Sequence, residues 1–332
     1  MEERDNSNKF VYDDGRLSLE IGEQLKISMM KYIMSVIFCV FVTIVQAQNQ
    51  DTLRLFVIGN SFSQNATTFL PQLAKSGGKV LVIGRAELPA CSLKRHWAYA
   101  ARAESDAKDP KGSPYGGKSL KQLLEEQPWD IVSLQQSSFL SSDYTTYEPY
   151  LSNLASLIKS VLPNTKIVLH ETWAYRADDT TFSQLSNGQK AFSADAMFAS
   201  VKASYRKAAV KLNTVLVPTG EAFEMVRKSN KWGFVPNVTV DRTGFKYPSL
   251  PAQRFSLHVG YFWKNKTLKY DSHHASKAGC YLGSLVWYNF LFGKFPIDRV
   301  PYVPKAIDRS FAAFLQQTAD SVVAGNGQTE GL

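Results

Sequence analysis

Ser61 stands in the run FVIGNSFSQN, Phe56 to Asn65, directly after an apolar stretch and a glycine. A serine hydroxyl hardly ionises near neutral pH, so nucleophilic use of Ser61 requires a base beside it, most often an imidazole. The chain has five histidines. His96 lies in a helical pattern beside Arg95 and Trp97, His170 ends an apolar run and reads as a core histidine, and His258 lies in an irregular stretch. His274 differs, because Asp271 precedes it by three residues in KYDSHHASKAGCYLG. In a tight loop that spacing lets a carboxylate reach the ring and fix its tautomer. Ser61, His274 and Asp271 are therefore the candidate nucleophile, base and orienting acid. Each half also has a plainer reading. Ser61 or Ser63 caps the helix that follows, and Asp271 with Ser272 caps the next one while the histidines face water. A metal centre fits the pattern less well. His273 and His274 are adjacent rather than four apart, and no carboxylate–histidine cluster shows ligand spacing. No metal or other cofactor is expected.

The elements that must position these groups alternate. Short apolar runs at Leu53 to Gly59, Lys79 to Gly84, Asp130 to Gln135, Lys166 to His170 and Thr214 to Pro218 read as buried strands. Between them, helical spacing is found at Gln64 to Lys75, Ser92 to Glu104, Ser119 to Glu126, Tyr150 to Val161, Ala194 to Leu212 and Glu221 to Lys228. Strands apolar on both faces, alternating with helices, predict a parallel sheet covered on both sides. The fold class is α/β, a three-layer α/β/α sandwich with a flavodoxin-like, five-stranded parallel sheet. Lys231 to Lys269 breaks the rhythm and reads as an irregular excursion, followed by helices at Ala275 to Phe292 and Ala306 to Val323. Ligands of such sheets bind beyond the C-terminal strand ends. That places Asn60–Ser61, Arg85 to Ser92, Gln135 to Ser138, Glu171 to Tyr175 and Pro218 to Glu221 on one rim.

The 332 residues are 44% hydrophobic and 20% charged, enough for a substantial core. No repeat or low-complexity linker divides them. Met29-Met30-Lys31, the apolar run Tyr32 to Val45 and then Gln46-Ala47 match a secretory signal peptide cleaved after Ala47. The run is shorter than the roughly 20 residues that span a bilayer, so no stable membrane span is expected after cleavage. Residues 1–28 read as lying upstream of the true start, or as a cytoplasmic extension on an uncleaved anchor. The domain expectation is thus a removed segment, 1–47, and one domain, 48–332, exported to the periplasm or beyond. The segment carries five basic and seven acidic residues, which leaves 33 basic and 22 acidic residues and a net charge of +11. Such a charge draws acidic partners, uronate-rich polysaccharide among them, or serves solubility alone. The basic residues are scattered and no nucleic-acid motif is present, so nucleic acid is not an expected partner. Cys91 and Cys280 could pair in an oxidising compartment or remain two buried thiols.

Taken together, the two candidate blocks carry a resemblance. Gly59-Asn60-Ser61-Phe62 after the first strand resembles the nucleophile block of the SGNH/GDSL hydrolase superfamily, with Asn where many members have Asp. Asp271-x-x-His274, then Ser276 and Gly279, resembles its final block. CSLKRHW (Cys91 to Trp97), WDIVSLQQSS (Trp129 to Ser138), ETWAY (Glu171 to Tyr175), GEAF (Gly220 to Phe223) and YLGSLVWYNFLFG (Tyr281 to Gly293) resemble a Bacteroides-type secreted branch of that superfamily. The likeness covers roughly Leu53 to Gly293. It implies an esterase acting through an acyl-enzyme, with Ser61, His274 and Asp271 as triad. Two blocks depart from the superfamily pattern. Leu88 to Ser92 has no oxyanion glycine, and Leu134-Gln135-Gln136-Ser137 has glutamines where an asparagine is usual. The oxyanion donors implied are the N–H groups of Ser61 and of Cys91 or a neighbour, and the Gln135 amide, which reaches one carbon further. An α/β-hydrolase is excluded, because its elbow lies on a central strand deep in the sequence and carries a glycine where Ser63 stands. The superfamily spans lipases, thioesterases and carbohydrate esterases. Export, positive charge and the branch's gut setting favour an acetyl or methyl ester on polysaccharide, with Asn60, Trp97, Trp173 and Tyr175 as candidate substrate contacts. A glycan-binding protein that keeps the fold without the chemistry is the alternative.

Overall fold

The five apolar runs become five strands: β1 (Thr52–Gly59), β2 (Val80–Glu87), β3 (Ile131–Leu134), β4 (Lys166–His170) and β5 (Val215–Val217). They form one sheet in the order β2-β1-β3-β4-β5, and every neighbouring pair is parallel. This is the flavodoxin-like arrangement that the alternating pattern predicts, with helices on both faces. Leu55 to Ile58 of β1 are wholly buried. β1 lies between β2 and β3, so the residue after it emerges near the middle of the rim. The computed structural model describes residues 52–179, 193–236 and 244–326, with a few helical residues between 26 and 34. The chain divides into two compact units, Met1–Asp51 and Thr52–Leu332, and the second carries the sheet. The apolar run from residue 35 and the expected cleavage point after Ala47 lie outside the described residues. Among the described residues no helix is long and apolar enough to cross a membrane.

The helix expected over Gln64 to Lys75 is two helices, α1 (Ser61–Ala66) and α2 (Leu70–Ser76). Pro71 has no N–H to give to a helix interior, so the chain restarts and places that proline in a first turn. The remaining helices follow the periodicity closely. They are α3 (Leu93–Ser105), α4 (Leu120–Glu125), α5 (Tyr150–Val161), α6 (Ala194–Leu212), α7 (Thr219–Arg227), α8 (Lys277–Phe292) and α9 (Arg309–Gly325). The Ser193 hydroxyl caps α6 by accepting the Ala196 N–H, and Asn213 closes it in the left-handed region. α8 is apolar all round, and Gly279 to Leu291 are buried. It lies beneath α1, α2 and α7 as a central prop.

One element departs from the sequence reading. The stretch expected to be irregular contains an antiparallel hairpin, β6 (His258–Lys264) and β7 (Thr267–Ala275). Its turn is Asn265-Lys266, both at positive φ (49° and 58°). That is the two-residue hairpin geometry usually announced by Asn-Gly. Cys91 and Cys280 are free and buried, so the pairing left open by the sequence is absent.

Candidate active site

β1 ends at Gly59, where a Cβ would come within 2.6 Å of Ser63 Oγ and 2.7 Å of Gln135 Oε1. Only glycine lets the strand turn so tightly into α1. Asn60 then caps α1. Its Oδ1 accepts the Phe62 N–H at 3.0 Å, and its Nδ2 donates to the Cys91 carbonyl at 3.0 Å. Behind the turn, His96 is buried on α3. Its Nε2–H donates to the Gly59 carbonyl at 3.0 Å, and Tyr115 donates to Nδ1 at 2.7 Å. Burial lowers its pKa to about 4, so it is neutral and this tautomer is fixed by its partners.

Ser61 is the first residue of α1 and is half-buried. Its Oγ lies 2.8 Å from His274 Nε2, and His274 Nδ1 lies 2.7 Å from Asp271 Oδ2. A carboxylate only accepts, so Nδ1 carries the proton and Nε2 faces the serine hydroxyl as acceptor. Asp271 Oδ1 also accepts the N–H groups of His274 (2.9 Å) and His273 (3.2 Å). Burial alone would raise the Asp271 pKa. The hydrogen bonds from the His274 ring and backbone, with His273 alongside, hold it well below the usual carboxylate range. Ser61 and a pair of residues more than 200 positions downstream thus meet in the geometry of a nucleophile, a base and its orienting acid.

Asp271 and His274 ride on β7, which does not pair with the main sheet. Three contacts dock it. Asn65 Oδ1 of α1 accepts the Ala275 N–H at 2.9 Å, Trp173 Nε1–H donates to the His273 carbonyl at 2.9 Å, and the Arg176 N–H donates to the Ser272 carbonyl at 2.8 Å. From the other strand, His258 Nε2–H donates to the Ala174 carbonyl at 2.9 Å. The Arg176 guanidinium is buried and pairs bidentately with Asp178 at 2.6 Å. It lies over the rings of Phe234, Tyr261 and Tyr270 at 4.5 to 5.0 Å. Gly260, at φ 68°, makes room for it, since a Cβ there would meet Arg176 Nη1 at 2.0 Å.

Several expected contacts are not where the sequence reading put them. Gln135 is buried. Its Oε1 accepts the Asn60 N–H at 3.3 Å and one of its two Nε2 N–H groups is spent on the Gln136 carbonyl, so its amide braces the turn. Gln136 is equally committed, to Leu93, Ser137 and Thr146. The Cys91 N–H donates to the Leu88 carbonyl at 3.1 Å, closing a turn, and its buried thiol is raised to about 11 by desolvation. The backbone N–H groups of Ser61 and Ala90 have no protein acceptor among the described residues. Ala90 sits at φ 51°, the left-handed conformation that glycine adopts freely. The turn keeps that shape without glycine. Its flanks bond to the nucleophile turn through Leu88 N–H to the Gly59 carbonyl and through Asn60 Nδ2 to Cys91.

The candidate substrate contacts are corrected likewise. Asn60 is buried and spent on capping. Trp173 is wholly buried, stacked between Phe62 (4.3 Å) and Phe223 (4.4 Å), where no sugar can reach it. Tyr175 is buried with its hydroxyl on Ser138 at 3.0 Å. Trp97 packs partly on the core but keeps part of its surface exposed, so it stays a candidate where the other three do not. Trp173 and Tyr175 read as open because the hairpin, which bonds Trp173 and lays the His273 ring near Tyr175, is not marked in the sequence. The expectation of no carboxylate–histidine cluster also fails. Single ligand atoms of Asp271, His273 and His274 lie within 4.8 Å of one another. In a flat strand, neighbours such as His273 and His274 face opposite ways, but the register shifts in this stretch, between His258 and Gly260 of the partner strand. The bulge re-aims both rings toward one carboxylate. Asn65, Trp173 and Arg176 were missed as positioning groups. FVIGNSFSQN and ETWAY had marked the first two segments without showing which side chain does the holding.

No curated protein matches the chain in sequence. Among solved structures, a DUF4886 family protein from Bacteroides uniformis shares the fold at 23% identity and TM-score 0.62, over 82% of this chain and 95% of that one. A candidate GDSL-like lipase from Parabacteroides merdae matches at 16% identity and TM-score 0.42, over 71% of this chain and 94% of that one. A psychrotrophic esterase from Pseudoalteromonas matches at 12% and 0.31, over 54% and 85%. The domain of unknown function DUF4886 matches residues 54–264, well over half of the chain, and the protein belongs to that family.

Proposed function

We propose that the protein is an exported serine esterase of the SGNH/GDSL kind, removing acetyl or methyl esters from polysaccharide. The observation that carries the proposal is the continuous hydrogen-bonded line from Ser61 Oγ through His274 to Asp271 Oδ2, at 2.8 and 2.7 Å. Ser61 attacks the ester carbonyl as its proton passes to His274 Nε2. The tetrahedral oxyanion is received by the N–H groups of Ser61 and Ala90. Collapse expels the alcohol, protonated by His274, and leaves an acyl-Ser61. Water, deprotonated by His274, then releases the acid and restores the hydroxyl. Asp271 stays ionised throughout and stabilises the imidazolium. The positive charge of the chain supports an acidic polymer as substrate. Phe139, 44% exposed on the rim just after Ser138, offers the aromatic surface that the buried Trp173 and Tyr175 cannot.

The test incubates wild type and Ser61→Ala with acetylated and methyl-esterified plant polysaccharides and measures released acetate and methanol. Wild type releases one of them and Ser61→Ala neither. Hydrolysis by Ser61→Ala at the wild-type rate would refute the mechanism. A fluorophosphonate probe should label wild type at Ser61. Absence of labelling, with retained binding to the same polymers, would instead favour a glycan-binding protein, a reading supported by the commitment of Gln135 and Cys91 to other partners.

A further inference from the structure

His273 has no part in the reaction just described, yet it is the more exposed of the paired imidazoles, at 41% of its side chain. It turns Nδ1 toward Asp271 Oδ1 at 3.4 Å, while His274 turns Nδ1 toward Oδ2 of the same carboxylate at 2.7 Å. Zinc binds imidazole nitrogen and carboxylate oxygen at about 2.0–2.2 Å in a tetrahedron, which sets neighbouring ligand atoms about 3.3 Å apart. The Asp271 Oδ1–His273 Nδ1 separation already has that value; His274 Nδ1 faces the other oxygen, Oδ2, and one ligand atom from each of the three residues lies within 4.8 Å of the others, so a turn of the carboxylate brings the set onto one ion. Two nitrogens and one oxygen, with a fourth position open to water, form a donor set suited to zinc and its neighbours in the first transition row.

We propose that Asp271, His273 and His274 form an inhibitory site for a divalent transition cation, zinc above all. It rests on the esterase reading only for its effect on rate, since binding itself needs no reaction. The ion takes one carboxylate oxygen and the two Nδ1 atoms, and the His274 proton moves through water from Nδ1 to Nε2, so that the ring stays neutral. Coordination removes the Asp271–His274 hydrogen bond and turns an N–H instead of a free electron pair toward Ser61, which can then no longer pass its proton to the ring. Loss of that orientation in a serine triad lowers turnover on the order of 10⁴-fold, so loaded protein is effectively inactive. Ser61 faces the opposite nitrogen, Nε2, and is not a ligand.

The chain suits a direct test. Its other three histidines, His96, His170 and His258, are buried, as are Cys91 and Cys280. The experiment titrates wild type, His273→Ala, His273→Gln and Ser61→Ala with cobalt(II), followed by visible absorption, and with zinc, followed by calorimetry. Hydrolysis of 4-nitrophenyl acetate is followed in parallel, with a chelator added at the end. Wild type and Ser61→Ala should each bind one equivalent, with the intense visible bands of four-coordinate cobalt. Both His273 variants should lose that binding and stay active in zinc that silences wild type, and the chelator should restore wild type. Equal binding or equal inhibition in the His273 variants, or a wild type that takes up no cobalt, would overturn the site. An inactive wild type that still binds one cobalt through His273 would instead remove the esterase reading and leave the metal site standing.

Discussion

Glu171 gives a prediction whose size follows from its surroundings. It ends the rim side of β4, is wholly buried, and its Oε2 accepts the Glu221 N–H in the first turn of α7 at 3.0 Å, while Oε1 has no partner. Burial, reinforced by the neighbouring Glu221 carboxylate, raises its pKa to about 8 from a reference value of 4.5. The folded chain therefore keeps a proton that the unfolded chain gives up. The stability linked to this proton is fully present below about 4.5 and is lost as pH climbs toward 8, a swing of about 5 kcal/mol at most. Nearby Lys202 and Arg206, both paired with Glu221, temper the swing. Glu171→Gln removes the titration and retains an oxygen for the Glu221 N–H. Its new NH₂ group costs about 1–3 kcal/mol if unpaired, a cost independent of pH. Urea denaturation of both proteins at pH 5, 7 and 9 separates the two effects. The variant should gain on wild type by several kcal/mol between pH 5 and 9, about 10 °C in Tm. A stability difference that stays constant across that range would show that Glu171 ionises normally and that the reasoning is wrong.

Asp271→Asn should lose on the order of 10⁴-fold in kcat, because the amide favours the wrong imidazole tautomer, and some stability at neutral pH, because the ionised carboxylate's hydrogen bonds to His274 are weakened; ester hydrolysis and urea denaturation check the two halves. Ala90→Gly should stabilise the protein by about 1 kcal/mol by relieving the left-handed alanine, with hydrolysis retained, as read from urea midpoints and rates. Arg176→Ala leaves the Asp178 carboxylate without its bidentate partner and should cost about 3 kcal/mol. The backbone bond to Ser272 survives, but the guanidinium's contacts with Tyr261 and Tyr270 of the hairpin are lost, so kcat should fall further than KM rises.

Much of this was legible in the sequence. Apolar runs ending at Gly59, Leu134 and His170 fixed the sheet, since strands buried on both faces leave no polar alternation to misread. Asp271-x-x-His274 was legible as a pair because both groups are local. The hairpin was not, because Asn265-Lys266 forms its turn without the glycine that normally marks one. That single omission spread. With β6 and β7 unseen, Trp173 and Tyr175 stood on an open rim, and the convergence of His273 on Asp271 had no element to produce it. The oxyanion donors were illegible for another reason. Gln135 and Cys91 have suitable groups, but whether a donor is free depends on which acceptors the folded chain brings to it, and here Gln136 takes one of the Gln135 N–H groups and Leu88 takes that of Cys91.

The placement of acid and base on one detached hairpin bears on how this architecture diversifies. The five strands and their helices form without pairing to β7. Substitutions at Trp173 or Arg176 that loosen the hairpin would displace Asp271 and His274 together at some cost in stability, while every pairing within the five-stranded sheet stays in place. On the esterase proposal, hydrolysis and the sheet are therefore separable, and an intact GNSF turn is not by itself a sign of the chemistry.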